Sequence, residues 1–216
     1  MDDRSNTKVL LAIESAISGG SISLWSNSEE IDRWIGEGGV SRAEDLLPNI
    51  AEMLKRNSIS RAVIGSIAVS IGPGSFTGIR IGIATALGLR VSLGIPLVGI
   101  SILEAIVLEQ NAGRILAAVP MGRDAICYQM FDLTDRAAPV TIFGPLASRS
   151  VPEGVVELNC QRALMHESIL QFARREMPAM AVESAGFNMA GHVARAAMVP
   201  EMRGGLEPLF LGLTAR

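Results

Sequence analysis

The segment "SIGPGSFTGIRIGIATALGLR", residues 70–90, joins a tight turn, a helix start and glycines set inside an apolar helix. It continues an apolar, β-branched run, Ala62 to Ser70, the pattern of a strand buried on both faces of a parallel α/β sheet. Strand, glycine turn and helix in that order suggest a phosphate-binding loop, but the spacing excludes both standard forms. A Walker A loop begun at Gly74 requires glycine where Ile79 stands and lysine where Arg80 stands, and a dinucleotide loop begun at Gly72 requires glycine where Thr77 stands. What remains is a Gly-Pro-Gly turn and a helix N-terminus bearing Ser75 and Thr77. These either cap the helix or help present backbone N–H groups to an anion.

Gly78, Gly82 and Gly88 lie in or near the helix interior, where each costs about 1 kcal/mol relative to alanine, about 3 kcal/mol together. Gly78, Gly82 and Ala86 recur at i, i+4 and i+8, a small-residue stripe on which another backbone can close. That backbone belongs either to the protein's own sheet or to another chain. Upstream, Ser41 and Glu44 stand in capping-box relation ahead of Ala43, Leu46, Leu47, Ile50, Met53 and Leu54, which recur at helical spacing; Pro48 is the one local objection. With Ala51 at its edge, this apolar arc is wider than the roughly 100° that one core contact needs, so part of it is free for another surface.

Working outward, Val9–Ile13 and Ile22–Leu24 flank "SGGS" as a hairpin, with a third short strand at 31–35. After the glycine-bearing helix, expected over 77–94, come a strand at 97–100, a helix at 101–109 and a strand at 115–119, an alternating α/β pattern. Beyond Pro120 the sequence predicts a hairpin over 125–133, a strand at 140–143, helices over 162–177 and 184–199, and a final extended segment in "GGLEPLFLGL". No internal repeat is visible.

The 216 residues are 49% hydrophobic and carry a formal charge of -3, with basic residues mostly single, so the footprint of a stand-alone nucleic-acid binder is missing. Cys127 and Cys160 read as buried small hydrophobes. The acidic N-terminus, with its short apolar run, does not read as a signal peptide, and a cytoplasmic location is expected. The uncharged window Ala62–Ile79 is broken by Gly72-Pro73-Gly74 and that at Val91–Leu103 by Pro96, so both read as buried elements with no membrane role.

The segment "GPGSFTGIRIGIATALGLR", the preceding "LLP" helix and the late "EPLFL" resemble the TsaB (YeaZ) family of tRNA-modification proteins, closely over the first 120 residues and loosely from Met121 to Arg203. The resemblance implies a two-lobed α/β fold of the actin-like ATPase (ASKHA, ribonuclease H-like) type with a reduced second lobe. Lobes are expected at 1–103, joined by 204–216, and at 104–203. It also implies a non-catalytic scaffold that binds TsaD as a heterodimer, with TsaE joining in an ATP-dependent ternary complex and tRNA reached only through that complex. The product is threonylcarbamoyl on N6 of adenosine 37. Family heterodimers pair the first two helices of each subunit, which implies an interface at Leu46, Leu47, Ile50, Met53, Leu54, Gly78, Ile79, Arg80, Gly82, Ile83 and Ala86. On that reading Gly82→Leu folds but loses its partner.

Departures from the family pattern stand at Glu14 in "AIES", at Arg42 and Ala43 in "RAEDLLP", at Met121 and Ile126 in "MGRDAICY", and at Gly212. No cofactor or metal is expected: His166 and His192, the only histidines, are too far apart in sequence for a local ligand pair and read as surface or half-buried residues. Two alternatives stand beside the scaffold. One is a stand-alone nucleotide-binding ATPase using Glu14 or Asp124, with Glu14, Ser75 and Thr77 as ligand residues. The other is a homodimeric paralogue with another client. Arg80 either neutralises a phosphate or partner carboxylate or forms a solvated ion pair, and Trp25 and Trp34 read as core or seam residues.

Overall fold

The computed structural model describes residues 8–17, 19–37, 43–110, 113–122, 125–134, 139–153, 155 and 160–211, with the side chains of 43 and 44 excepted. Strands β1 (Val9–Glu14), β2 (Ser21–Ser26) and β3 (Glu29–Ile35) form an antiparallel meander. Helix α1 (Ala43–Arg56) leads to β4 (Ile64–Ser70), which pairs parallel to β1, and α2 (Phe76–Leu93) leads to β5 (Leu97–Ile100), parallel to β4. The sheet order is therefore β3-β2-β1-β4-β5. As expected of a strand between two helical layers, β4 is buried from Ile67 to Ser70.

After α3 (Ile102–Val107) the pattern repeats. Strands β6 (Arg114–Met121), β7 (Ala125–Asp132) and β8 (Val140–Ser148) form a second meander, and β9 (Arg162–Met165) and β10 (Ala181–Ser184) add parallel strands on the other side of β6. The order β10-β9-β6-β7-β8 is that of the first sheet, so the two lobes are topological copies. The second is the smaller in its helices: α4 (Leu170–Glu176) between β9 and β10 has 7 residues where α2 has 18.

Three expectations are corrected here, the first being the hairpin over 125–133, which is the single strand β7. The helix expected over 162–177 is a strand followed by a short helix, and that over 184–199 starts only at α5 (Met189–Met198), after β10. In β9 the residues Ala163, Leu164 and Met165 are all buried, so no alternation marks them as strand. β10 is an edge strand with mostly exposed side chains, of which Val182 packs against the core.

Helices α1 and α2 cover one face of the first sheet, over Leu11, Ile13, Leu24, Met53, Ile67 and Val69. Helix α5 covers the other, contacting β1, β2, β4 and β5 as well as α3. By packing, then, 189–198 sits on the first sheet although it follows the second in the chain. Its run of alanines allows that close seat between the layers. Asn188 caps α5 through Gly191 N–H (3.1 Å) and also donates to Glu30 on β3 (2.7 Å), while Ala190 N–H donates to Ser21 Oγ (2.8 Å). The tail returns to the first sheet, where Gly204 bridges Gly99 and Leu209 N–H donates to Ile71 O (2.8 Å).

Candidate functional site

The glycine segment packs against its own lobe. Ser75 is the N-cap of α2, accepting from Gly78 N–H at 3.4 Å, and its own N–H donates to Ala16 O at 2.7 Å. Ser15 Oγ donates to Gly78 O at 2.8 Å. A Cβ built on Gly74 would stand 2.6 Å from Ala16 Cβ and O; one on Gly78 would strike Ser15 O, and one on Gly82 would strike Ser15 Oγ. The backbone that closes on the small-residue stripe is therefore the β1–β2 loop of the same chain.

This corrects most of the expected interface. Gly78, Ile79, Gly82, Ile83 and Ala86 are buried within α2's own seat, and Leu46, Ile50, Met53 and Leu54 are buried in the core beneath α1. Of the eleven positions only Leu47 and Arg80 are exposed. Gly82→Leu would press into Ser15, so it destabilises the fold and gives no test of partner binding.

The outward face lies elsewhere on the same two helices. Leu47, Pro48 and Ala51 are exposed on α1, and Ala84, Leu87, Gly88 and Val91 on α2, with Val91 82% and Leu47 51% accessible. A groove of about 260 Å³ lies between the helices, bordered by Leu47, Ala51, Leu89 and Leu93. A Cβ on Gly88 meets nothing within 4 Å, so the fold itself does not require glycine there. Sequence reasoning missed Leu87 and Val91, although their spacing with Ala84 and Gly88 is that of one helical stripe opposite Gly82 and Ala86.

Helix α2 is long and apolar enough by composition to cross a bilayer, but its glycine stripe is packed on the β1–β2 loop and its sheet. Arg80 makes no ion pair among the described residues: its guanidinium lies 3.7 Å from the Phe76 ring centroid, and Phe76 in turn packs at a tilt on Phe210 of the tail at 4.5 Å. Trp25 is buried in the core and Trp34 packs at its edge, as expected.

Of the residues expected for nucleotide binding, Glu14 and Ser75 are engaged within the fold. Glu14 is buried, and its Oε1 accepts from Ala16 N–H (2.5 Å) and Ile17 N–H (2.9 Å), the loop groups that would otherwise face an anion. Ser75 is used as a cap, and only Thr77 of the three is exposed; Asp124, Arg42 and Gly212 lie outside the described residues. Among the described residues no three His, Cys, Asp or Glu side chains come together to hold a metal. His166 is fully buried rather than superficial, with Nδ1 2.8 Å from Ser168 Oγ, while the half-buried His192 places Nε2 2.9 Å from Ala185 O. Both cysteines are buried thiols.

Burial pushes Glu14 up to about 8 from an ordinary 4.5, against the two N–H bonds, and pushes His166 down to about 4 from 6.5. The signs oppose. Folded Glu14 holds a proton that the unfolded chain has released, so its contribution is lost as pH rises toward 8; His166 is neutral when folded, so its contribution is lost as pH falls from 6.5 toward 4. Where these ranges overlap, below pH 6.5, the two offset, and above pH 6.5 only Glu14 of the pair acts. Urea midpoints should therefore fall from pH 6.5 to pH 8 in the wild type and stay level in Glu14→Gln; an equal fall in both would remove Glu14 as the cause.

Comparison with known proteins follows the fold. A family model described as "TsaD: tRNA N6-adenosine threonylcarbamoyltransferase" matches residues 40–136. The "tRNA threonylcarbamoyladenosine biosynthesis protein TsaB" of Escherichia coli K12 is 32% identical over 114 residues, 51% of this chain and 49% of that protein. The TsaB of Buchnera aphidicola subsp. Baizongia pistaciae is 36% identical over 87 residues, 38% of this chain and 39% of that protein. Among solved structures, YeaZ from Pseudomonas aeruginosa superposes with a TM-score of 0.66 at 20% identity, over 94% of this chain and 100% of that one.

The chain is similar to TsaB (YeaZ), in sequence over about half of its length and in fold throughout. Its sequence matches span about half the length or less of these TsaB relatives, whereas the fold matches YeaZ throughout. The fold is the two-lobed α/β fold of the actin-like ATPases. The ROK hexokinase of Thermus thermophilus has it too, at a TM-score of 0.50 and 10% identity over 88% of this chain and 99% of that one.

Proposed function

We propose that this chain is a cytoplasmic, non-catalytic subunit of the machinery that makes threonylcarbamoyladenosine in tRNA, and that it binds TsaD through the outward face of α1 and α2. The observation that carries the reading is that face itself: Leu47 and Ala51 border a largely apolar groove between the helices, Leu87 and Val91 are exposed on the outward stripe of α2, and Gly88 leaves room that nothing in the chain fills. An exposed apolar patch of this kind marks a protein contact. The names of the TsaB relatives support the pathway, and the withdrawal of Glu14 and Ser75 into the fold supports a scaffold over an ATPase. In this reading TsaE joins the TsaD pair in an ATP-dependent complex, and tRNA is met only there.

Light-scattering chromatography of the chain alone and with TsaD of the same genome, followed by a tRNA modification assay with each component omitted, tests the proposal. The expected result is a one-to-one complex and loss of modification without this chain. No complex and undiminished modification would overturn it; a homodimer with no TsaD binding would identify the same face as a self-contact.

A further inference from the structure

A cavity of about 390 Å³ opens at the end of the first sheet remote from the α2 N-terminus. It exists because α5 stops at Met198 and the chain turns away through Pro200–Met202, leaving the starts of β1, β4 and β5 uncovered. Leu10, Trp25, Val98 and Met198 give it an apolar lining, and Ser26, Ser28 and Ser66 add hydroxyls.

Its charge is one-sided. Lys8 and Arg203 both line it, no carboxylate does, and neither cation has an ion-pair partner among the described residues. Two cations at one cavity with no ion-pair partner among the described residues stand out in a chain of formal charge -3. Both are held in place. Arg203 Nε donates to Ala197 O at 2.7 Å, at the end of α5, and the Lys8 stem lies over Gly65, where a Cβ would come within 2.6 Å of Lys8 Cβ. Apolar lining, convergent polar groups and a volume of a few hundred Å³ are the ordinary marks of a small-molecule site.

We propose that this cavity binds a small organic anion, an apolar body carrying a carboxylate or phosphate head that Lys8 and Arg203 hold. The site is independent of the α1–α2 face and of any role in tRNA modification.

The chain has two tryptophans, and they report separately: Trp25 lines the cavity, whereas Trp34 packs in the cluster under α1 on the opposite side of the sheet. Octanoate, octyl phosphate and neutral 1-octanol are titrated against the ¹⁵N-labelled full chain while the two indole N–H signals are followed. The expected result is a saturable shift of Trp25 but not Trp34 with at least one anion. Its affinity should fall about tenfold or more in Lys8→Gln/Arg203→Gln and by less in Lys8→Gln, as loss of charge-assisted contacts requires. The Trp34 signal, unmoved, shows that each variant is folded. A response to one head group alone assigns that head. No Trp25 shift with either anion, an equal response to 1-octanol, or full affinity in the double variant overturns the proposal.

Discussion

Gly78→Ala is expected to lower the melting temperature by up to about 8 °C, while Gly88→Ala, ten residues further along the same helix, raises it. In an ordinary helix interior both changes gain about 1 kcal/mol, because alanine gives up less backbone freedom on folding. At Gly78 the new Cβ falls on Ser15 O and close to Ser15 C (2.9 Å) and Ala16 Cα (3.0 Å), all backbone, so no rotamer change relieves the clash. The β1–β2 loop has to move off the helix, which breaks Ser15 Oγ–Gly78 O and Ser75 N–Ala16 O, the bonds that hold the α2 N-terminus on the sheet. Overpacking of this kind costs about 1–3 kcal/mol, enough to outweigh the propensity gain. At Gly88 nothing lies within 4 Å, so only the gain remains. Thermal unfolding of the two variants beside the wild type decides it: shifts of the same sign would mean that the loop does not rest on α2 as described.

That contrast also marks how far the sequence could be read. Glycines at 78 and 82 announce that a backbone comes close, because only glycine permits it, but spacing alone does not say whose backbone; the answer depends on where β1 turns after Glu14. The wide apolar arc of α1 was legible for the same reason, and again its division was not: Leu46, Ile50, Met53 and Leu54 turn inward, and Leu47 and Ala51 turn out. Gly88 carried more information than it was given, since it stands roughly 200° around the helix from Ala86 at about 100° per residue and cannot share that stripe.

The first sheet was readable strand by strand, because each of its elements has a length and burial pattern of its own. In the second, the strands at 115–119 and 140–143 were legible, but β9 and β10, with four residues each and lying one in the core and one at the edge, show no alternation. The repeat of topology between the lobes escaped for a different reason. What repeats is the hydrogen-bonding order of the strands, which many residue combinations satisfy, and no residue period accompanies it.

Val91→Glu is expected to leave the fold intact and to weaken binding to TsaD by two orders of magnitude or more, with a matching loss of tRNA modification at limiting subunit concentrations. Val91 is 82% accessible, so a carboxylate there stays hydrated in the free chain and should change stability by no more than about 0.5 kcal/mol. In a complex that covers the α1–α2 face, the same carboxylate loses its water, and an uncompensated buried charge costs about 3–5 kcal/mol. The penalty falls on the bound state alone. A swap at Leu46, on the inward side of α1, would damage both states and decide nothing. Titration of the labelled variant with TsaD, beside its melting curve, separates the two effects. Should the folded variant bind TsaD and support modification as the wild type does, the contact lies off this face, and the groove between α1 and α2 loses its assignment while the fold keeps its own. If the wild type is instead a homodimer, the same charge is placed twice across a two-fold contact, and Val91→Glu turns the dimer into a monomer through repulsion as well as desolvation.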